Sequence, residues 1–195
     1  MLKNLLYKFK NKRQDQQSER LIYEMFFERV YYAAYFIIQD RELAQDVAQE
    51  TFLKAFRQLH TVKEADKLGA WLAAIASRTA IDQLRKLKRW NDSATEDIII
   101  DHELSKRDFY VSEVESIIEN EALKKLLLQQ LDELRPDHKQ VLLLRYIHDM
   151  TNAEIAEALG VNVGTVKTRL YRARLKFREV LEQRPDVKEL IANAR

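Results

Sequence analysis

Cysteine is absent from the chain. That omission removes disulfide frameworks, zinc–thiolate centres and cysteine nucleophiles together, and it fits a reducing compartment. Glycine occurs three times and proline twice in 195 residues, too few turn-formers for a sheet-rich fold with many tight turns. The expected fold is therefore all-α. Long hydrophobic runs are missing too. The longest wholly apolar stretch is Val30–Ile38, well short of the roughly 20 residues that cross a bilayer. The start, MLKNLLYKFKNKR, is basic, but lysines interrupt its apolar residues and no small-residue cleavage site follows. A cytoplasmic protein that does not span a membrane is expected.

Catalytic groupings are equally scarce. His60, His102, His138 and His148 are scattered, with no H-x-x-x-H pair at metal-ligand spacing. Three glycines cannot build a phosphate-cradling loop, and Ser77 and Thr79 have no neighbouring His–Asp arrangement. Acidic pairs fall on helix faces open to water, where raised pKa values for acid–base work are not expected. The sequence therefore points away from an enzyme, with no metal, cofactor or small-molecule substrate.

What the chain does have is apolar content of 46% and charged content of 33%, enough for compact cores and too ordered a mixture for wholesale disorder. The net charge of +2 conceals a partition. Residues 1–20 hold six Lys/Arg against two acids, residues 90–121 ten acids against Lys106 and Arg107, and residues 161–184 seven Lys/Arg against Glu179 and Glu182. Basic blocks invite nucleic acid. Solvated helix faces would explain them equally well, so charge alone decides nothing.

Helical periodicity organises the rest. Leu21, Ile22, Met25, Phe26 and Val30 mark an inward stripe from about Ser18 to Ile38. Asp40 is a candidate N-cap for a second helix, with Leu43, Val47, Phe52, Phe56 and Leu59 inward. A polar loop, Thr61–Gly69, precedes a third helix from Ala70 to about Trp90, striped by Trp71, Leu72, Ile75, Ala76, Leu84 and Leu87. Residues 18–90 thus form one expected domain after a basic extension, 1–17. An acidic flexible linker, 91–118, follows. A second small helical domain is expected over 119–184, with a tail at 185–195. In that domain Leu123, Leu126, Leu127 and Leu131 mark one helix, and Pro136 opens the next at a first-turn position.

The most informative segment is TNAEIAEALGVNVGTVKTRLYRARLKFR, Thr151–Arg178. Thr151 and Glu154 have capping-box spacing, Gly160 stands where a left-handed C-cap is wanted, and Asn162 can cap the next helix. Val163, Val166, Leu170 and Phe177 are expected to face inward. The opposite face offers Thr165, Lys167, Thr168, Tyr171 and Arg172, donors clustered on the N-terminal half of the helix that enters a major groove in a helix-turn-helix. A helical hairpin with a solvated basic face explains the period but not that clustering.

The segment Leu131–Val180 resembles the fourth-region domain of RNA polymerase sigma factors. AQDVAQETFLKAF (Ala44–Phe56) and WLAAIASRTAIDQLRK (Trp71–Lys86) resemble two helices of their second-region domain. With no third domain between, the chain is similar to the extracytoplasmic-function group. The resemblance implies a factor that binds core RNA polymerase, through its largest and second-largest subunits, and promoter DNA. Asp46, Gln49 and Glu50, at i, i+3 and i+4, match the motif that docks on the largest subunit. Lys63 and Lys67 in the loop, with Arg78, Arg85 and Arg89 at i, i+7 and i+11, would hold the unpaired minus-ten strand. Thr165, Lys167, Thr168, Tyr171 and Arg172 would read the minus-thirty-five element. At Arg78 the family often carries Asn, which leaves base readout there open. Trp71 reads as core filler before stacking platform. The resemblance also implies an anti-sigma partner, and an acidic linker able to enter the polymerase's nucleic-acid channels or to serve as a tether. A bacterial, nucleoid-associated location would follow. The rival readings are a dimeric helix-turn-helix regulator acting without polymerase, and an adaptor whose basic helices contact acidic partners.

Overall fold

The computed structural model describes residues 16–62, 64–93, 131 and 133–183, with side chains as far as residue 89 in the long third helix. Most of the basic extension, most of the acidic linker, most of the leucine-marked helix from 119 and the residues after 183 lie outside the described residues. Among the described residues the fold is helical throughout: α1 (Gln16–Ile38), α2 (Arg41–Gln58), α3 (Leu68–Ser93), α4 (Pro136–Leu142), α5 (Asn152–Leu159) and α6 (Val163–Glu182). Two single 3-10 turns, Leu59–Thr61 and Ala65–Lys67, join α2 to α3. The backbone of α4 runs on into a π-turn, Leu143–Ile147.

Local chemistry sets the boundaries. Asp40 is extended and its Oδ1 accepts from the Leu43 amide at 2.9 Å, capping α2, an interaction that stabilises a helix by about 1 kcal/mol. Pro136 stands in the first turn of α4, where its missing N–H costs nothing. At Thr151 the expected capping box is complete: the Glu154 amide donates to Thr151 Oγ1 at 3.3 Å and the Thr151 amide to Glu154 Oε2 at 2.7 Å. Gly160 closes α5 at φ 66°, a conformation that side chains disfavour.

Helices α1, α2 and α3 pack around Ile22, Val30, Val47, Phe52, Leu59, Leu68 and Leu72, all 2% exposed or less. Helices α4, α5 and α6 close on Val141, Leu144, Ile155 and Val166, each fully buried. Each such side chain contributes roughly 1.5–3 kcal/mol of burial. Two expected inward residues do not turn inward. Met25 is 45% exposed and Val163 39%; Val163 is the first residue of α6 and lies beyond its partners, and Met25 is off the phase set by Ile22 and Val30.

The two bundles are not separate. Ala74 of α3 is buried in the second core, and Leu143 is buried in the first. Helix α3 is therefore covered on two sides. Leu68, Leu72, Ala76 and Ala80 face α1 and α2, while Ala70, Ala74 and Ser77 fall on a second stripe, turned toward α4 and α5. Small side chains on both faces permit this close approach.

Candidate polymerase and nucleic-acid interfaces

Three surfaces carry the sequence-derived candidates. On α2, Asp46 and Gln49 are exposed and Glu50 is half-buried, its carboxylate 2.8 Å from Lys54 Nζ. Lys54 also donates to Thr79 Oγ1 on α3 at 3.2 Å, which fixes the stripe to the bundle. Leu53 stands beside them, four residues from Gln49 and 64% exposed. It is an apolar side chain set in water among charged neighbours on the same face of α2. Its sequence signal is that it falls off the inward phase of α2 while being apolar.

On α6 the helix-turn-helix is formed as expected. Asn162 Oδ1 accepts from the Thr165 amide at 2.7 Å and from its hydroxyl at 3.0 Å. Thr165 is consequently half-buried and occupied by the cap. Lys167, Thr168, Tyr171 and Arg172 project into solvent, Tyr171 at 60% exposure, and Val166, Leu170 and Ala173 anchor the opposite face. The Thr168 hydroxyl donates to the Gly164 carbonyl at 3.0 Å. Arg169, half-buried, lies with Arg172 near His138, whose pKa is lowered, chiefly by burial.

The third surface is different. Lys67, Arg78, Arg85 and Arg89 are all exposed and share one side of α3 and its preceding turn; Lys63 lies outside the described residues. Three of them meet the second bundle. Lys67 Nζ lies 2.6 Å from Glu154 Oε1 and 3.3 Å from Glu64. Arg85 Nη2 lies 3.6 Å from Asp137 Oδ1 and its Nη1 3.4 Å from Asp82. Arg78 Nη1 reaches the C-terminal end of α5, 3.7 Å from where a Cβ on Gly160 would stand. Between them Gln140 donates to the buried Ser77 hydroxyl at 3.2 Å, and Ser77 donates to the Ala74 carbonyl at 3.0 Å. Arg89 is turned along its own helix, Nε 3.3 Å from the Arg85 carbonyl. Trp71 is half-buried against the first core, as a core-filling residue should be.

Electrostatics follow this geometry. The Lys67 ammonium and the Thr151 amide and hydroxyl together hold the Glu154 carboxyl down to about 2, and the same pairing raises Lys67. His148, in the cleft between the bundles, is pushed down to about 4 by burial, with Arg29 adding to the effect. That cleft, of about 870 Å³, is lined by residues of both bundles, Trp71, Arg78, His148 and Glu157 among them. Among the described residues no cluster of three metal-ligating side chains occurs, and no helix is long and apolar enough to cross a membrane.

Comparison with known proteins identifies what is built here. Residues 22–90 match the family described as Sigma-70 region 2, and residues 124–177 match Sigma-70, region 4. The RNA polymerase sigma factor SigV of Bacillus subtilis is 35% identical over 145 residues, spanning 73% of this chain and 78% of the relative. The chain belongs to the extracytoplasmic-function sigma factors of the sigma-70 family. A second relative, the ECF RNA polymerase sigma factor SigW of the same organism, is 29% identical over 179 residues, 87% of this chain and 92% of the relative. Among solved structures, a sigma factor RpoE bound to the anti-sigma factor NepR, from Bartonella quintana, superposes with a TM-score of 0.57 at 21% identity. It covers 84% of this chain and 96% of that one. The fold is thus a two-domain sigma fold, and the protein is a promoter-recognising sigma factor. The reading as a stand-alone dimeric regulator explains only the second domain and loses its ground.

Proposed function

We propose that this sigma factor divides its work among the three surfaces, with residues 18–90 and 119–184 as its two functional domains. Asp46, Gln49 and Glu50, with Leu53 as an added apolar anchor, dock on core RNA polymerase. Lys63, Lys67, Arg78, Arg85 and Arg89 hold the unpaired minus-ten strand by its phosphates. Lys167, Thr168, Tyr171 and Arg172 enter the major groove of the minus-thirty-five element, and Thr165 orders the start of that helix through its cap. Residues 1–17 and 185–195 flank the domains, and residues 91–118 connect them. The factor acts in the cytoplasm, without a reaction of its own, and an anti-sigma protein holds it inactive by covering polymerase-binding surface.

The observation that carries this reading is the exposed row Lys167–Arg172 on the second helix of a capped helix-turn-helix, in a chain of the sigma family. Run-off transcription from a pooled promoter library, with bacterial core polymerase, tests it. Transcripts sharing a two-part upstream element are expected only when the protein is added. Lys167→Ala with Arg172→Ala should abolish the upstream part of that preference, and Leu53→Asp should reduce the yield from every promoter. Transcripts indifferent to both changes would overturn the assignment.

A further inference from the structure

Helix α6 has an apolar crest between its charged edges. Val166, Leu170 and Ala173 are buried on one side. At about 100° per residue, Gly164, Thr168, Tyr171 and Leu175 fall opposite them. All four are exposed, Tyr171 at 60% and Leu175 at 41%. Lys167 stands on one side of this row and Arg172 on the other, both exposed. When such a helix lies in a major groove, its crest meets base edges and its sides meet the two phosphate backbones. Hydrogen bonds within the helix sharpen the contrast. The Thr168 hydroxyl gives its one proton to the Gly164 carbonyl at 3.0 Å, and the Thr165 hydroxyl gives its own to Asn162 Oδ1 at 3.0 Å. Neither threonine therefore offers a base a donor. Thr168, exposed and with its hydroxyl folded back, presents its methyl instead. Gly164, one turn earlier, adds no side chain that would stand above that methyl, and Tyr171 sets a ring beside it at i+3. On the major-groove edges of the bases, the apolar feature is the 5-methyl group of thymine.

We propose that Thr168 is a specificity-determining residue: its methyl packs on the 5-methyl group of one thymine in the minus-thirty-five element, and the Tyr171 ring closes over the same contact. The proposal rests on the assignment of α6 to that element made above. It divides the work of the face. Lys167 and Arg172 attract the phosphates of any sequence, whereas the crest between them discriminates by shape and by the exclusion of water. Discrimination of this kind has a definite size. One buried methyl is worth about fourfold in affinity, the equivalent of about 0.8 kcal/mol at 1.4 kcal/mol per tenfold.

The experiment uses the full chain with core polymerase and the best-transcribed promoter of the pooled library. Deoxyuridine replaces each thymidine of the upstream element singly, on either strand, which removes one methyl and leaves the base pair intact. Run-off yield against holoenzyme concentration gives the apparent affinity. At one position the wild-type factor should lose about fourfold. Thr168→Ser removes the methyl and keeps the hydroxyl that bonds to Gly164. That factor should bind the thymidine promoter about fourfold more weakly and be indifferent to deoxyuridine at that same position. Thr168→Val puts a methyl back without the hydroxyl and should restore the deoxyuridine penalty. An undiminished penalty in the Thr168→Ser factor, no penalty at any position, or an upstream element without A·T pairs overturns the proposal. Lys167→Ala with Arg172→Ala separates the two levels of failure. If that pair abolishes the upstream preference while the methyl contact fails, α6 still reads the element by other groups. If the preference survives the pair, the assignment of α6 falls, and the methyl contact with it.

Discussion

Helices α3 and α6 are both amphipathic, both basic on one side, and both offered by the family for DNA. They differ in what their second face meets. Helix α6 buries one stripe, Val166, Leu170 and Ala173, and leaves Lys167, Tyr171 and Arg172 in water. Helix α3 buries Leu72 and Ala76 in one core and Ala74 in the other, so its cations line a seam. A recognition helix of the first kind is ready in the isolated protein. The cations of the second kind already face carboxylates of the other bundle, Glu154 and Asp137.

The largest expected effect breaks the cores behind the two helices. Leu72→Ala and Leu144→Ala each remove a fully buried leucine and should each cost about 2–5 kcal/mol, read by urea unfolding. Because α3 joins both cores, Leu72→Ala should also loosen the second bundle, seen as faster amide exchange in α4 and α5. Exchange in α4 and α5 left untouched by Leu72→Ala would contradict a shared α3.

Acid should sharpen the contrast at the seam. His148 has a folded pKa of about 4 against an ordinary value near 6.5. As pH falls below 6.5 the unfolded chain takes up the proton first, so stability declines from there to about pH 4 and then levels off for this group. The loss should approach about 2–3 kcal/mol, since each tenfold difference in proton affinity between the folded and unfolded chain is worth about 1.4 kcal/mol, lessened by the ring's partial contact with water. Glu154, at about 2, adds a further loss only below about pH 4.5. His148→Gln should flatten the slope between pH 6.5 and 4, and a slope unchanged by that substitution would remove His148 as its origin.

Thr151→Ala should cost about 1 kcal/mol in thermal unfolding. It removes the hydroxyl that accepts from the Glu154 amide and donates to Glu154 Oε2, and so frees the carboxylate that clasps Lys67. Glu154→Gln, retaining the cap, should cost less than half as much. The difference between them separates helix ending from domain joining.

Most of this was readable before the structure where a local rule applied. The caps at Asp40, Thr151 and Asn162, the stop at Gly160 and the exposed row on α6 each depend on residues within a few positions of one another, so spacing alone finds them. The seam depends on residues 63 positions apart, Ser77 and Gln140, and no local period encodes that. Its one trace was compositional: Ala70, Ala73, Ala74, Ala76, Ser77 and Ala80 put small side chains round most of α3, as suits a helix packed on two sides. The single stripe read along Trp71, Leu72, Ile75, Ala76, Leu84 and Leu87 passed over that second face. Periodicity likewise erred at Met25 and Val163, where phase and helix end left an apolar residue with nothing to cover it.

The smallest effect is the most discriminating. Each lysine or arginine that neutralises a phosphate steepens the dependence of log affinity on log salt by roughly one. In the free protein, Lys167→Ala and Arg172→Ala should each lower the slope for duplex DNA by about that amount, because both side chains are exposed among the described residues. Lys67→Ala should lower the slope for single-stranded DNA by clearly less than the roughly 0.7 expected per neutralised phosphate, since its ammonium is shared with Glu154 at 2.6 Å. In a Glu154→Gln protein, which lacks that carboxylate charge, the same Lys67→Ala change should lower the slope by the full value of about 0.7. A slope that falls equally in both proteins means that Glu154 does not withhold Lys67 from phosphate, and the difference between the two helices would then be one of sequence alone.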